Sequence, residues 1–307
     1  MSINSRFDKA FTRAPVLPLT GASRYVLFSD CHRGCGTSGD NFLKNQHLYF
    51  AALQYYLKEG YTYLELGDGD ELWENRSFLQ IKSVHNNSFW LLSRFYFQER
   101  LHMLYGNHDM VKKYYRFAKC HCSTYPCSSC DEEELFPNMI FHEGLILKNH
   151  GNGPDIYLTH GHQASFLNSV LWRLARFLVR YVWKPLEQIG FLDPTSAAKN
   201  NTARTRTERA AAAWAKNRDV ILITGHTHRP MTGTYDSPLF NTGSCVHPRC
   251  ITCIEINGLA LTLVKWTLLA RPDRTLFVAR EELTESICAD SSFSDTANSS
   301  VTKSAIL

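Results

Sequence analysis

The sequence predicts an α/β protein with antiparallel additions. Short apolar runs alternate with longer segments whose apolar residues recur at helical spacing. Several of the short runs stop at a glycine flanked by Asp, Asn or His. Near the end, "ITCIEINGLALTLVKW" sets Asn257-Gly258 between two alternating apolar stretches, the pattern of a tight hairpin.

In chain order, "RYVLFSD" reads as a strand entering a polar loop. "NFLKNQHLYFAALQYYLKEG" reads as a helix, with Leu43, Leu48, Ala51, Ala52, Tyr55 and Tyr56 on its apolar positions and Gly60 as its stop. "YTYLELGDGDE" is a strand ending in acids, "SFWLLSRFYFQE" a helix, and "RLHMLYGNHD", "DIYLTHGH" and "DVILITGHTH" three further strands. Residues 281–307 end in a Ser/Thr-rich stretch without periodicity and are expected to be disordered.

Composition excludes several classes. At 307 residues, 44% hydrophobic and 20% charged, the chain is ordinary for a globular protein of one large or two small domains. Thirty-three Lys and Arg against 29 Asp and Glu give a net charge of +4, too mild to argue for a nucleic-acid partner. The N-terminal stretch lacks the apolar core of a signal peptide, and no run approaches the ~20 apolar residues that cross a bilayer. The expected location is the cytoplasm, where the ten cysteines are expected as thiols or metal ligands rather than disulfides.

The informative feature is where the strands end. Five of them close on metal-competent side chains: Asp30 and His32 in "SDCH", Asp68 in "LGDGDE", Asn107 and His108 in "YGNHD", His160 in "THGH", and His226 and His228 in "GHTH". Sites in α/β folds form at the carboxyl ends of strands, where loops from several elements converge. Any one cluster alone reads first as a capping acid or a satisfied core histidine; five in the same position do not. Carboxylate, imidazole and amide donors without thiolate suit Mn, Fe, Zn or Ni, with Mn expected first. Seven donors are too many for one ion and right for two sharing a carboxylate. Two ions ~3.5–4 Å apart form the clamp that generates hydroxide near neutral pH and neutralises charge on phosphoryl oxygens.

The ordered series "DCH", "GDGDE", "GNHD", "HGH" and "GHTH" over residues 25–230 resembles the calcineurin-like metallophosphoesterases. The resemblance implies a four-layer α/β/β/α sandwich of two mixed sheets with flanking helices, to which this chain is expected to add an inserted helical cap. It implies that Asp30, His32 and His228 hold the first metal, that Asp68 bridges, and that Asn107, His160 and His226 hold the second. It also implies that His108 contacts the phosphate and protonates the leaving group, with Asp109 orienting its ring. The implied activity is metal-dependent hydrolysis, by metal-activated hydroxide, of a phosphomonoester, phosphodiester or pyrophosphate in a small phosphorylated substrate. The alternative is a non-catalytic scaffold that kept the fold.

"GHTHRP" and Trp73 are distantly similar to the bacterial UDP-2,3-diacylglucosamine pyrophosphohydrolases, which tend to carry Arg where this chain has His108 and Asp where it has His162. Glu71 stands where the family often has a second Asp, and is expected just outside the metal ligands.

The implied domain is 21–280, after an N-terminal extension at 1–20, with a Cys-rich insertion at 118–135 and the helical cap at 164–200. Arg33, following His32, reads as a phosphate-binding guanidinium or as a surface ion pair. Cys120, Cys122, Cys127 and Cys130 read as a small structural zinc site or as a thiol-rich loop. His247 is expected at the rim of the site.

In residues 165–184, Leu167, Leu171, Leu174, Leu178 and Val182 form one helical stripe, and Arg173, Arg176, Arg180 and Lys184 another. That helix reads as packed on a sheet with a solvated basic face. It also reads as a cap drawing an anionic substrate, or a peripheral membrane and its lipid, toward the metals.

Overall fold

A computed structural model of the chain describes residues 2–37, 39–125, 132–183, 201–291 and 293. The chain begins with α1 (Ile3–Phe11) and β1 (Val16–Leu19), then enters β2 (Arg24–Phe28), α2 (Gln46–Lys58) and β3 (Thr62–Leu66). Helices α3 (Phe78–Val84) and α4 (Asn86–Phe97) lead to β4 (Leu101–Leu104) and α5 (Tyr115–His121). The short β5 (Thr124–Tyr125) and β6 (Glu133–Glu134) precede β7 (Gly144–Asn149) and β8 (Ile156–Thr159). Then come α6 (Phe166–Ser169), α7 (Trp172–Leu178) and α8 (Asn201–Lys216). The remaining strands are β9 (Ile221–Thr224), β10 (Leu239–Asn241), β11 (Cys250–Asn257), β12 (Ala260–Ala270), β13 (Leu276–Glu282) and β14 (Ile287–Cys288).

Two mixed sheets carry the fold. One runs β13-β12-β11-β2-β3-β4 with β14 on β12, and the other β1-β7-β8-β9-β10. In the first, β2, β3 and β4 are parallel while β11 runs antiparallel to β2; in the second, β8, β9 and β10 are parallel and β7 opposes β8.

The period-two alternation of the strands sets the layers. On β2, Leu27 joins Leu64, Leu66, Leu158, Ile221 and Ile223 in the core between the sheets. Val26 and Phe28 face the other way, onto α2 and α4 through Tyr49, Tyr56, Leu92 and Phe95. Leu222 and Leu239 likewise meet Phe7 of α1 and Trp214 of α8 on the outer face of the second sheet. The result is the expected α/β/β/α order, in which each fully buried Leu or Ile contributes roughly 1.5–3 kcal/mol. Gly60 ends α2 with a left-handed φ of 78°, and Gly258, at φ 62°, turns the hairpin from β11 to β12.

Three expectations are corrected. The segment 1–20 is no extension: the Phe7 ring packs 5.2 Å from that of Trp214, and β1 adds a parallel edge strand with Val16 opposite Ile146. Pro18 is tolerated there because an edge strand accommodates a missing donor. Beyond residue 281 the chain is still ordered as far as it is described: β14 pairs β12, and Ala289 and Phe293 are buried.

The third concerns the cap. Instead of one helix, residues 166–183 form α6, α7 and a π-type turn at Val179–Trp183. The break at Val170–Leu171 resets the helical phase, so Trp172 and Ala175 pack inward while Leu171, Leu174 and Val182 of the expected core-facing stripe are exposed. Lys184 and the rest of the predicted cap to residue 200 lie outside the described residues. No helix among the described residues is long and apolar enough to cross a membrane.

Candidate metal centre

The carboxyl ends of β2, β3, β4, β8 and β9 converge, and the loops that follow them are stitched together by main-chain bonds. Asp30 N–H donates to the Gly67 carbonyl (3.1 Å), His32 N–H to that of Asp68 (2.9 Å), and Gly225 N–H to that of His160 (3.0 Å). Loops this close require glycine. A side chain at Gly67, whose φ is 89°, would begin 2.6 Å from the Gly106 nitrogen, and one at Gly106 only 2.1 Å from Asp68 Oδ1.

Backbone strain concentrates on the expected ligands. Asp30, His32, Asp68, His226 and His228 all hold left-handed φ values between 49° and 68°. Each such non-glycine residue costs on the order of 1–3 kcal/mol, a strain that clusters where function demands it.

The side chains fall into two groups with Asp68 between them. Asp30, His32 and His228 form one; Asp68, His160 and His226 form the other, with Asn107 Oδ1 3.2 Å from His160 Nε2. Asp68 Oδ2 lies 3.0 Å from His160 Nε2 and 3.9 Å from His32 Nε2, reaching into both. Ligand nitrogens are oriented from behind: His160 Nδ1 is fixed on the Leu66 carbonyl (2.9 Å) and His32 Nδ1 on Glu71 Oε2 (2.8 Å), which turns both Nε2 atoms inward.

These donors fit divalent cations. Asp30 Oδ2 accepts from Ser29 Oγ and from His226 N–H, whereas its buried Oδ1 makes no hydrogen bond and points toward Nε2 of His228, 3.1 Å away. The Nε2 atoms of His32 and His228 lie 3.2 Å apart, so both nitrogens face the same point beside Asp30.

Mutual attraction governs the charges. Burial alone would push Asp68 up and His160 down, but their pairing prevails: Asp68 sits well below the usual carboxylate range and His160 is raised to about 9. His226, buried and beside the His160 charge, is pushed down to about 3 and stays a neutral donor.

His108 lies on the rim of this cluster, with its backbone N–H on Asp68 Oδ1 (2.8 Å). Its Nδ1 meets Glu71 at 2.8 Å, not Asp109. Burial lowers the His108 pKa, yet the Glu71 and Asp68 charges outweigh it and raise the group above the usual histidine value. The expectation that Asp109 orients His108 is therefore corrected, and Glu71, expected just outside the ligands, takes that place.

Asp109 turns the opposite way. It accepts from the backbone N–H groups of Gly106 (2.7 Å), Asp68 (3.3 Å) and Gly69 (3.2 Å) and pairs with Lys112 (2.7 Å), clamping the loops that carry Asp68 and Asn107.

Arg33 is also corrected. Its guanidinium is 0% exposed and engaged by Glu65 through both terminal nitrogens (2.9 Å each), by Asp70 through Nε (2.7 Å) and by the Tyr49 hydroxyl (3.3 Å). Four of its five N–H groups are engaged, and burial keeps the whole group away from a phosphate in the cleft. It is a buried brace, neither phosphate ligand nor surface pair.

His247 does lie beside His228, with its buried Nε2 making no hydrogen bond. His162 is buried against His160 with its Nδ1 unpartnered, and belongs to neither ligand group. The zinc reading of the cysteines finds no support. Cys122 is buried and its thiol is pushed up to about 12 by that burial, Cys120 is exposed, and Cys127 and Cys130 lie outside the described residues.

Fold and site together define a protein that presents a cluster of nitrogen and oxygen ligands at the carboxyl ends of two facing sheets. The chain belongs to the calcineurin-like phosphoesterase family, whose model matches residues 23–230. Among solved structures, that of Chaetomium thermophilum Vps29 is similar at 14% identity and a TM-score of 0.38, covering 87% of this chain and 98% of that one. Among curated proteins, none matches.

Proposed function

We propose that the chain is a di-metal-dependent phosphoesterase that hydrolyses a phosphomonoester, phosphodiester or pyrophosphate. The observation that carries the proposal is Asp68, whose carboxylate reaches into both ligand groups while its backbone is held in a left-handed conformation. Asp30, His32 and His228 would hold one ion and Asn107, His160 and His226 the other, with Asp68 shared. When bound, such a pair supplies Lewis-acid polarisation of phosphoryl oxygen and of water near neutral pH; Mn is the metal we expect first.

The chain's own residues do the rest. His108 gives a proton from Nε2 to the leaving oxygen, because Nδ1 is committed to Glu71. Glu71 holds the His32 and His108 rings at once and favours the protonated form of His108. Asp109 and Lys112 keep the two ligand loops in register from beneath.

A hydrolysis panel with Mn tests the proposal: nitrophenyl phosphate, its bis-ester, cyclic nucleotides, nucleotide sugars and phosphopeptides. Turnover of any of these, abolished by chelator, supports it. A metal-loaded protein inert on all of them favours the scaffold alternative.

The outward face of residues 166–182 extends this reading to the surroundings of the substrate. Phe166, Val170, Leu174, Phe177 and Tyr181 are 47–55% exposed on a short segment whose Asn168 lies 3.4 Å from His226. Lys113, Arg173 and Arg176 lie over Trp172 beside them. Exposed aromatic and aliphatic side chains bordered by cations match an interfacial segment on an anionic membrane, and we propose that this face meets one.

A further inference from the structure

We propose that Trp73 is a positioning residue for His108 and that it ties this ring to the segment 166–183; the proposal rests on His108 being the proton donor of the phosphoesterase reading. The Trp73 indole stacks on the His108 imidazole with centroids 4.3 Å apart and planes 24° from parallel. The ring of His32 meets His108 edge-on at 4.7 Å, and Glu71 takes Nδ1. His108 is thus fixed on one face, one edge and one nitrogen, which leaves Nε2 as the nitrogen that can face a substrate.

Trp73 is itself held from both sides. Its backbone N–H and that of Glu74 donate to Glu71 Oε1, each at 3.2 Å, so the loop that presents the indole also aims the carboxylate beneath His108. From the other side, Trp172 and Ala175 of α7 share one buried apolar cluster with the indole and Met110. Arg180 then closes the joint. Its Nε donates to the Trp73 carbonyl (2.6 Å), and its Nη2 to those of Leu72 (2.8 Å) and Asn75 (3.1 Å). Arg76 reaches back to the Tyr181 hydroxyl at 2.9 Å.

An ordinary core residue does not account for Trp73. The indole is 4% exposed and its Nε1–H has no hydrogen-bond partner, a cost that a Phe or Leu of the same packing role would avoid. What the indole provides at this place is a broad aromatic plane stacked on the imidazole, a packing that Leu cannot reproduce.

The consequence is a path of contact from residues 166–182, through Arg180 and Trp73, to the group that protonates the leaving oxygen. A cap displaced from the Trp73 loop releases the imidazole from its stacked orientation without touching any metal ligand.

The test uses the full chain loaded with Mn, in wild-type form and as Trp73→Leu, Trp73→Phe and Arg180→Met, assayed on nitrophenyl phosphate and on an alkyl phosphate ester. Proton donation matters for the alkyl leaving group and little for nitrophenolate. Trp73→Leu and Arg180→Met are each expected to lower kcat on the alkyl ester by about 10-fold more than on the nitrophenyl ester, a fraction of the full general-acid contribution. Bound metal is expected to be unchanged, and Trp73→Phe, which keeps an aromatic plane, to restore most of the difference. Equal losses on both esters, or no rescue by Trp73→Phe, overturn the proposal.

Crystal structures of the same metal-loaded proteins separate this claim from the reading beneath it. A His108 ring rotated out of its plane in Trp73→Leu supports the positioning role even where no tested ester is turned over. An unmoved ring overturns it whatever the activity.

Discussion

Replacing Arg33 by Met separates a structural brace from a phosphate ligand. The guanidinium spans Glu65 and Asp70 with three short bonds in a space closed to water. Asp70 would retain Lys112 at 2.6 Å, but Glu65, fully buried, would keep only the Tyr63 hydroxyl at 3.2 Å. Removing one partner of a buried pair costs about 3–5 kcal/mol, and the stranding of Glu65 puts Arg33→Met at about 4. At about 2 °C per kcal/mol for a chain of this size, Tm falls by about 8 °C.

The loss depends on pH. Burial pushes Asp70 up, but Arg33 and Lys112 outweigh it and hold the group at about 2, below the ordinary 3.8. A depressed carboxylate stabilises the fold above its unfolded value and loses that contribution as pH falls through the folded one. Part of the wild-type advantage over Arg33→Met is therefore present above pH 4 and fades toward pH 2. Calorimetry at several pH values, with KM for nitrophenyl phosphate measured at a temperature where both proteins are folded, reads both effects. A Tm change under about 2 °C together with a clearly raised KM would refute the brace, since a free phosphate ligand stabilises the fold little.

Four further outcomes are expected. Asp68→Asn removes the bridging carboxylate and is expected to be the most damaging ligand change, lowering bound metal in elemental analysis as well as turnover, because a neutral amide cannot neutralise two cations. His108→Ala is expected to leave metal content intact and lower kcat by about 10²–10⁴-fold on alkyl esters, with a smaller loss on nitrophenyl esters; equal losses count against the acid role. Glu71→Gln, which loses the carboxylate facing both His32 and His108, is expected to weaken metal affinity by about 10–100-fold, measured by competition with a chromogenic chelator. Leu174→Ser with Phe177→Ser is expected to abolish co-sedimentation with vesicles containing anionic lipid while sparing turnover of soluble nitrophenyl phosphate; unchanged sedimentation, or none by wild type, removes the membrane contact.

The ligand cluster was legible because each member sits at the end of a strand, where apolar alternation stops and glycine begins. Asp30, Asp68, Asn107, His160 and His226 follow β2, β3, β4, β8 and β9 by a few residues each, so locating the strands located the site. Arg33 was misread because its partners are neighbours only in space. The available signal was Glu65, an acid inside the buried strand "TYLEL", which demands a cation.

Asp109 adjoins His108 in sequence, yet its carboxylate turns toward the Gly106, Asp68 and Gly69 amides, and backbone direction of that kind does not show in residue spacing. The cap failed for a different reason. Periodicity assumes one unbroken helix, and the break at Val170–Leu171 leaves Leu171, Leu174 and Val182 of the expected stripe exposed.

The most direct test of the account is metal stoichiometry measured alongside turnover in one preparation, by elemental analysis of the purified chain before chelation, after it, and after Mn is restored. The account predicts about two ions per chain, activity lost on chelation and regained with Mn. One ion or none in a preparation that turns over substrate would contradict the shared role of Asp68 on which the proposed chemistry depends.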